Sequence, residues 1–200
     1  MSNRKYTLVI NPGATSTKTS IYDGENEVFT ENITHPIEEI QKYKEVADQF
    51  DYRKNAILSM LKDHGVGTDE IAIVMGRGGL TRPCESGTYR VNDLMKQECH
   101  DGIQGKHACN LGALISDSIA REIGLECAYI ADPGIVDERP EYAKITGHPE
   151  FDLDPNREGV IWHCLNQKMT GKLYAREIGK HYEDLNIIIA HMGGGVSVGI

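Results

Sequence analysis

Two hundred residues, 40% of them hydrophobic, are enough to bury a core of one large domain or two small ones. Thirty acidic against 21 basic side chains give a net charge of −9, which argues against a nucleic-acid or polyanion surface. No stretch approaches the ~18 apolar residues of a membrane helix, and the N-terminus lacks a signal-peptide apolar core. Five cysteines with no C-x-x-C pair fit reduced thiols in a cytoplasmic protein better than a disulfide framework or a zinc site.

Leu8-Val9-Ile10 and Thr17 to Tyr22 read as strands around a polar turn. Asp23-Gly24 is a hairpin signal, and Glu27 to Thr34 reads as the next strand. Pro36 opens a helical stretch with Ile37, Ile40, Tyr43 and Val46 at helical spacing, and Tyr52 to His64 repeats that spacing until Gly65. Ile71 to Met75 has the look of a buried strand. Val91 to His100 reads as a short helix, and His107 to Ile123 as a longer one stopped by Gly124. Cys127 to Ala131 is a strand broken at Asp132-Pro133-Gly134. Pro140 to Gly159 is a long loop or linker, Trp162 to His181 a long helix, and Leu185 to Ala190 an aliphatic strand. Strands that first meander and then alternate with helices define a mixed α/β chain.

Two turns carry chemical signal. The first is Asn11-Pro12-Gly13-Ala14-Thr15-Ser16-Thr17-Lys18, and the second runs from His191 through Gly193, Gly194 and Gly195 to Gly199. Glycine lets backbone amides approach a ligand, and hydroxyls and lysine are phosphate partners. Neither G-x-x-x-x-G-K-[ST] nor G-x-G-x-x-G is present, which disfavours P-loop and Rossmann readings. Arg77, in Gly76-Arg77-Gly78-Gly79, reads as a cleft cation or an ordinary loop arginine. His107, at a helix start, is an anion ligand or a cap. Asp132 is a cleft carboxylate or a turn former, and His163 is a ligand or a structural helical histidine.

Taken together, these segments resemble the short-chain fatty-acid kinases, the butyrate kinases in particular, of the actin/hexokinase/Hsp70 ATPase superfamily. The matching segments are Val9 to Lys18, Gly76 to Leu80, Gly87 to Asn92, His107 to Ala113, Asp132-Pro133, His163 to Lys168 and Ala190 to Gly199, in family order. Acetate kinases fit less well. Arg77 stands alone before its glycine pair, and Gln167 occupies the place of a second histidine.

The resemblance implies a ribonuclease H-like, actin-like ATPase domain over residues 1–180. It also implies the start of a second such domain over 181–200, largely missing here, so that this chain by itself is expected to be inactive. It implies ATP and Mg2+ as cofactors, butyrate or a similar carboxylate as substrate, a butyryl phosphate product with ADP, and a homo-oligomer at full length. Arg77, His107 and Asp132 would be catalytic, with Arg77 and His107 acting as cations. Arg77, His107 and His163 would bind the carboxylate. Asn11, Thr15, Ser16, Lys18, His191, Gly193, Gly194 and Gly195 would hold nucleotide phosphates, and Asn11 and Asp132 would place the metal. The competing readings are a kinase for branched acids or acetate and a non-catalytic nucleotide switch of the actin or Hsp70 kind.

Overall fold

The computed structural model describes residues 4–140, 142, 145, 147–148, 162–193 and 196–199. These residues pack as two compact units. The first comprises 1–82 with 87–131, and the second 83–86 with 132–200. The domain boundary expected at residue 180 falls inside the second unit, and most of the expected loop from Pro140 to Gly159 lies outside the described residues.

The first unit is built on a six-stranded mixed sheet. Its strands are β1 (Tyr6–Pro12), β2 (Ser16–Asp23), β3 (Asn26–Thr34), β4 (Ile71–Arg77), β5 (Thr88–Arg90) and β6 (Tyr129–Ala131), in the spatial order β3-β2-β1-β4-β6-β5. β1, β2 and β3 form an antiparallel meander, while β1, β4 and β6 run parallel and β5 closes the edge antiparallel to β6. Helices supply the parallel crossovers, as parallel pairing requires. They are α1 (Ile37–Ile40), α2 (Phe50–Asp63), α3 (Asp93–Asp101) and α4 (Leu111–Glu122).

Alternation along the strands decides which face is buried. Leu8, Ile10 and Ile21 from β1 and β2, Ile71 and Val74 from β4, and Ile130 from β6 are fully buried, together with Ile115 and Ile119 of α4 and Ile57 of α2. Asn92 caps α3 by accepting the Met95 amide, and Gly65 and Gly124 take positive φ just beyond α2 and α4.

The helix opened by Pro36 is one turn only, because none of its residues is buried and Ile37 stands 57% exposed. The three-residue β5 carries too little periodicity to be read from sequence.

In the second unit α5 (Cys164–Glu177) packs on an antiparallel hairpin of β7 (Ile189–Met192) and β8 (Val196–Gly199). Gly171 makes that packing possible, since a Cβ there would lie 2.6 Å from the Tyr182 ring and 3.0 Å from Ile189. The helix is shorter than the sequence predicts. Trp162 donates its backbone amide to Gly134 (2.9 Å) and its indole N–H to the Val136 carbonyl, so the chain turns helical only after His163. Gly179 ends it at φ 67°. The predicted strand from Leu185 begins only at Ile189, and Ile188 is 73% exposed.

Candidate active site

β1 and β2 place the first group. Asn11 lies opposite Lys18 in the antiparallel register, and Ile10 lies beside Gly76 in the parallel one. The pleat therefore sets Thr19, Ile10, Gly76 and Ile130 on the face that α4 covers, and Lys18, Asn11 and Arg77 on the other. The row of two cations and an amide ends at the carboxyl edge of β1 and β4, where open α/β sheets take ligands. An Arg77 N–H donates to Asn11 Oδ1 at 3.4 Å, a long contact.

Glycines bring the start of α4 against the end of β4. A Cβ on Gly76 would lie 2.4 Å from the Gly112 carbonyl oxygen, and one on Gly79 would lie 2.8 Å from Asn110 Cα. His107 sits just ahead of α4, and its Nδ1 accepts the Cys109 amide (3.1 Å), capping the 3-10 turn that leads into the helix. The capping reading of His107 is thus what this geometry displays. Burial, then the charge of Arg77, lowers its pKa from the usual histidine value, so at neutral pH the ring is neutral with its proton on Nε2. The lowered pKa weighs against the cationic role expected of His107 and leaves Arg77 and Lys18 as the cations of the row.

Two residues that sequence reasoning passed over build this site. Asn110 is buried and fully engaged, accepting the Leu80 amide (2.9 Å) and donating to the carbonyls of Cys99 (3.1 Å) and Gly105 (2.9 Å). It ties the loop after Arg77 to α3 and to the segment before His107. Arg53, on α2, is fully buried and donates to carbonyls of the first turn. An arginine on the apolar face of an amphipathic helix was the available signal, since arginine is almost never fully buried unless its donors are satisfied. In the turn itself Thr15 is exposed and accepts the His35 amide (2.8 Å), while the Ser16 carbonyl accepts the Gly13 amide (2.7 Å).

The second unit holds the other predicted residues. Asp132, directly after β6, is the one described non-glycine residue at positive φ, 36°, a costly conformation that Asp tolerates better than most. Ser86 donates to its carboxylate at 2.7 Å. Burial and then the Asp132 charge push the Cys164 thiol up to about 12, so it stays protonated. His163 and His191 stack at 3.7 Å between ring centroids. His163 Nδ1 lies 3.0 Å from Ser197 Oγ and His191 Nδ1 lies 3.0 Å from Asn166 Oδ1. Gln167 donates to the Ser197 carbonyl and hydroxyl, both at 3.0 Å. Gly193 is exposed and a Cβ on it would meet nothing within 4 Å, and Gly194 and Gly195 lie outside the described residues.

No family model matches the chain. Among curated proteins it is 50% identical to butyrate kinase 1 of Clostridium acetobutylicum over 192 residues, 96% of this chain and 52% of that protein. It is 48% identical to butyrate kinase 2 of the same organism and 45% identical to a probable butyrate kinase of Clostridium botulinum, each over the same shares. The chain is homologous to the bacterial butyrate kinases. It spans about half the length of the curated relatives it matches. Among solved structures it resembles an acetate kinase from Porphyromonas gingivalis (TM-score 0.64, 17% identity, 97% of this chain and 54% of that one). A propionate kinase from Francisella tularensis is similar as well (TM-score 0.60, 14% identity, 97% and 54%). At such identities the likeness concerns the fold alone, a mixed sheet flanked by helices. No helix among the described residues is long and apolar enough to cross a membrane.

Proposed function

We propose that this chain is part of a phosphotransferase that moves the γ-phosphoryl group of ATP to a short-chain carboxylate, butyrate foremost, giving an acyl phosphate and ADP. The observation that carries the reading is the 50% identity to butyrate kinase 1 over 96% of the chain. The row of Lys18, Asn11 and Arg77 supplies chemistry suited to it.

A carboxylate with a pKa near ~4.3 is ionised at neutral pH and needs no general base. The barrier lies in bringing an anionic nucleophile to an anionic phosphoryl group, so positioning and charge neutralisation dominate. Arg77 serves the transferring phosphoryl and the incoming carboxylate, and Lys18 and the hydroxyls of Thr15 and Ser16 serve the nucleotide phosphates. His107 donates its Nε2 proton as a hydrogen bond and keeps it, consistent with its lowered pKa.

Asn11 in the first unit offers an amide oxygen and Asp132 in the second a carboxylate oxygen, and each by itself is a hard donor of the kind Mg2+ takes alongside phosphate oxygens and water. When bound, Mg2+ would screen phosphate charge. The protein's own part is to orient those oxygens, and the bond from Ser86 orients that of Asp132.

The test is acyl phosphate formation by the whole phosphotransferase of which this chain is proposed to be part, trapped as hydroxamate, with ATP, Mg2+ and acids from acetate to valerate, straight and branched. Highest kcat/KM for butyrate is expected. A clear preference for acetate or isobutyrate would overturn the choice of acid. Saturable nucleotide binding with no acyl phosphate from any acid would overturn the transfer reaction in favour of a nucleotide switch.

A further inference from the structure

The first turn is shaped from behind. Arg53 projects from α2 into the interior with no exposed surface. One of its terminal nitrogens donates to the Gly13 carbonyl (2.8 Å), the Ser16 carbonyl (3.1 Å) and Thr17 Oγ1 (3.2 Å). The other donates to the Ala14 carbonyl (2.9 Å), and Nε donates to Gln49 Oε1 (3.0 Å). These oxygens are all neutral, so the guanidinium charge is hydrogen-bonded but not cancelled by them.

The peptide unit is planar, and in its trans form the C=O and N–H of one unit point in opposite directions. No cis peptide bond occurs among the described residues. The Gly13 and Ala14 carbonyls converge on a single buried guanidinium. The N–H groups that share those peptide units belong to Ala14 and Thr15, and they must therefore be directed away from Arg53. Both residues are exposed. Successive amides turned the same way form an anion-binding concavity, and an uncancelled positive charge behind them adds a field of the same sign.

We propose that Arg53 is a positioning residue: by gathering the carbonyls of Gly13, Ala14 and Ser16 it turns the amides of Ala14 and Thr15 outward as a ready-made phosphate cradle. The inference rests on the reading of this turn as a phosphate grip and adds what holds it in shape. Lysine cannot replace the arginine, because a single ammonium lacks the fork that reaches both the Gly13 and Ala14 carbonyls while Nε holds Gln49. Glycine is not required at Ala14 or Thr15, since the turn is held by donors rather than by positive φ.

The experiment is an amide-resolved NMR titration of the protein and of Arg53→Lys and Arg53→Met, with inorganic phosphate and with ADP as probes. The parent should show saturable shifts at the Ala14 and Thr15 amides. Arg53→Met should bind phosphate more than about tenfold more weakly, and Arg53→Lys should lose affinity although it keeps the charge. Resonances of β3 and β6 should stay in place in a folded variant. Should Arg53→Met fail to fold, Arg53→Lys decides. A folded Arg53→Lys with parental turn resonances and parental phosphate affinity overturns the proposal, as does a parent whose Ala14 and Thr15 amides respond to neither probe. The acyl phosphate assay keeps the two readings apart. Turnover without an Arg53 effect on the turn sinks this inference alone, whereas phosphate capture by the turn without acyl phosphate from any acid sinks only the proposed reaction.

Discussion

Gly112 lies so close to Arg77 that a Cβ on the glycine would sit 2.2 Å from the Arg77 carbonyl oxygen. With Gly76 facing the Gly112 carbonyl in return, two backbones meet where side chains normally intervene, and this contact brings His107 and Arg77 into one electrostatic neighbourhood.

Gly112→Ala should therefore push α4 off β4. The obstacle is backbone on both sides and cannot rotate away, so a loss of about 1–3 kcal/mol is expected. Thermal or urea unfolding measures it. A melting point equal to the parent's would show that α4 can slide without cost.

Arg77→Ala removes the half-buried cation of the row and leaves the sheet intact. Acyl phosphate formation should fall about 10²–10³-fold, the range for deleting one donor aimed at developing charge. Far-UV circular dichroism should be unchanged. Near-parental kcat/KM would return Arg77 to an ordinary loop arginine.

His107 has two separable roles. His107→Ala deletes the cap on the Cys109 amide as well as the Nε2 donor, so both stability (about 1 kcal/mol) and turnover should drop. His107→Asn keeps a capping oxygen and lacks the Nε2 proton. It should recover most of the stability but not the turnover, and recovery of both would reduce His107 to a cap.

His35 gives a pH signature. It is buried, with Nε2 2.8 Å from Thr17 Oγ1, and burial followed by the charge of Arg53 lowers its pKa from 6.5 to about 4. Because the folded value is depressed, the unfolded chain binds more protons between those pH values. The contribution is full above pH ~6.5 and declines as pH falls toward ~4, by on the order of 3 kcal/mol in all. Urea midpoints across that window should decline less steeply in His35→Gln. Parallel profiles would assign the acid sensitivity to other groups.

The β7–β8 hairpin is held by Gln167 at both oxygens of Ser197. Gln167→Ala should speed amide hydrogen exchange at Ser197 and Val198 by an order of magnitude or more, about 1.4 kcal/mol of lost protection per tenfold. Exchange in α2 serves as the internal control, and unchanged exchange in β8 would mean that strand pairing alone holds it.

Local pattern made much of the chain legible in advance. The short apolar strands β1, β2 and β4, the helical spacing of α2, the helix α4 and the glycines at 24, 65 and 124 are nearest-neighbour effects that a linear reading captures. Asn11, Lys18 and Arg77 could be singled out because polar residues and glycines border apolar strands there, and His107 because it opens a helix. Tertiary structure decided the rest. The helical spacing after Pro36 extends for one turn only, because nothing covers it. Trp162 is held outside α5 by carbonyls of Gly134 and Val136, far from it in sequence. Asn110 and Arg53 look like unremarkable helix residues until their partners arrive from 30 and about 40 positions away. The neutral state of His107 likewise depends on burial and on Arg77, which sequence places 30 residues upstream. Desolvation and long-range hydrogen bonds exist only once distant segments have met, so composition and spacing can nominate the charged residues of such a site but cannot assign their charge or what holds them in place.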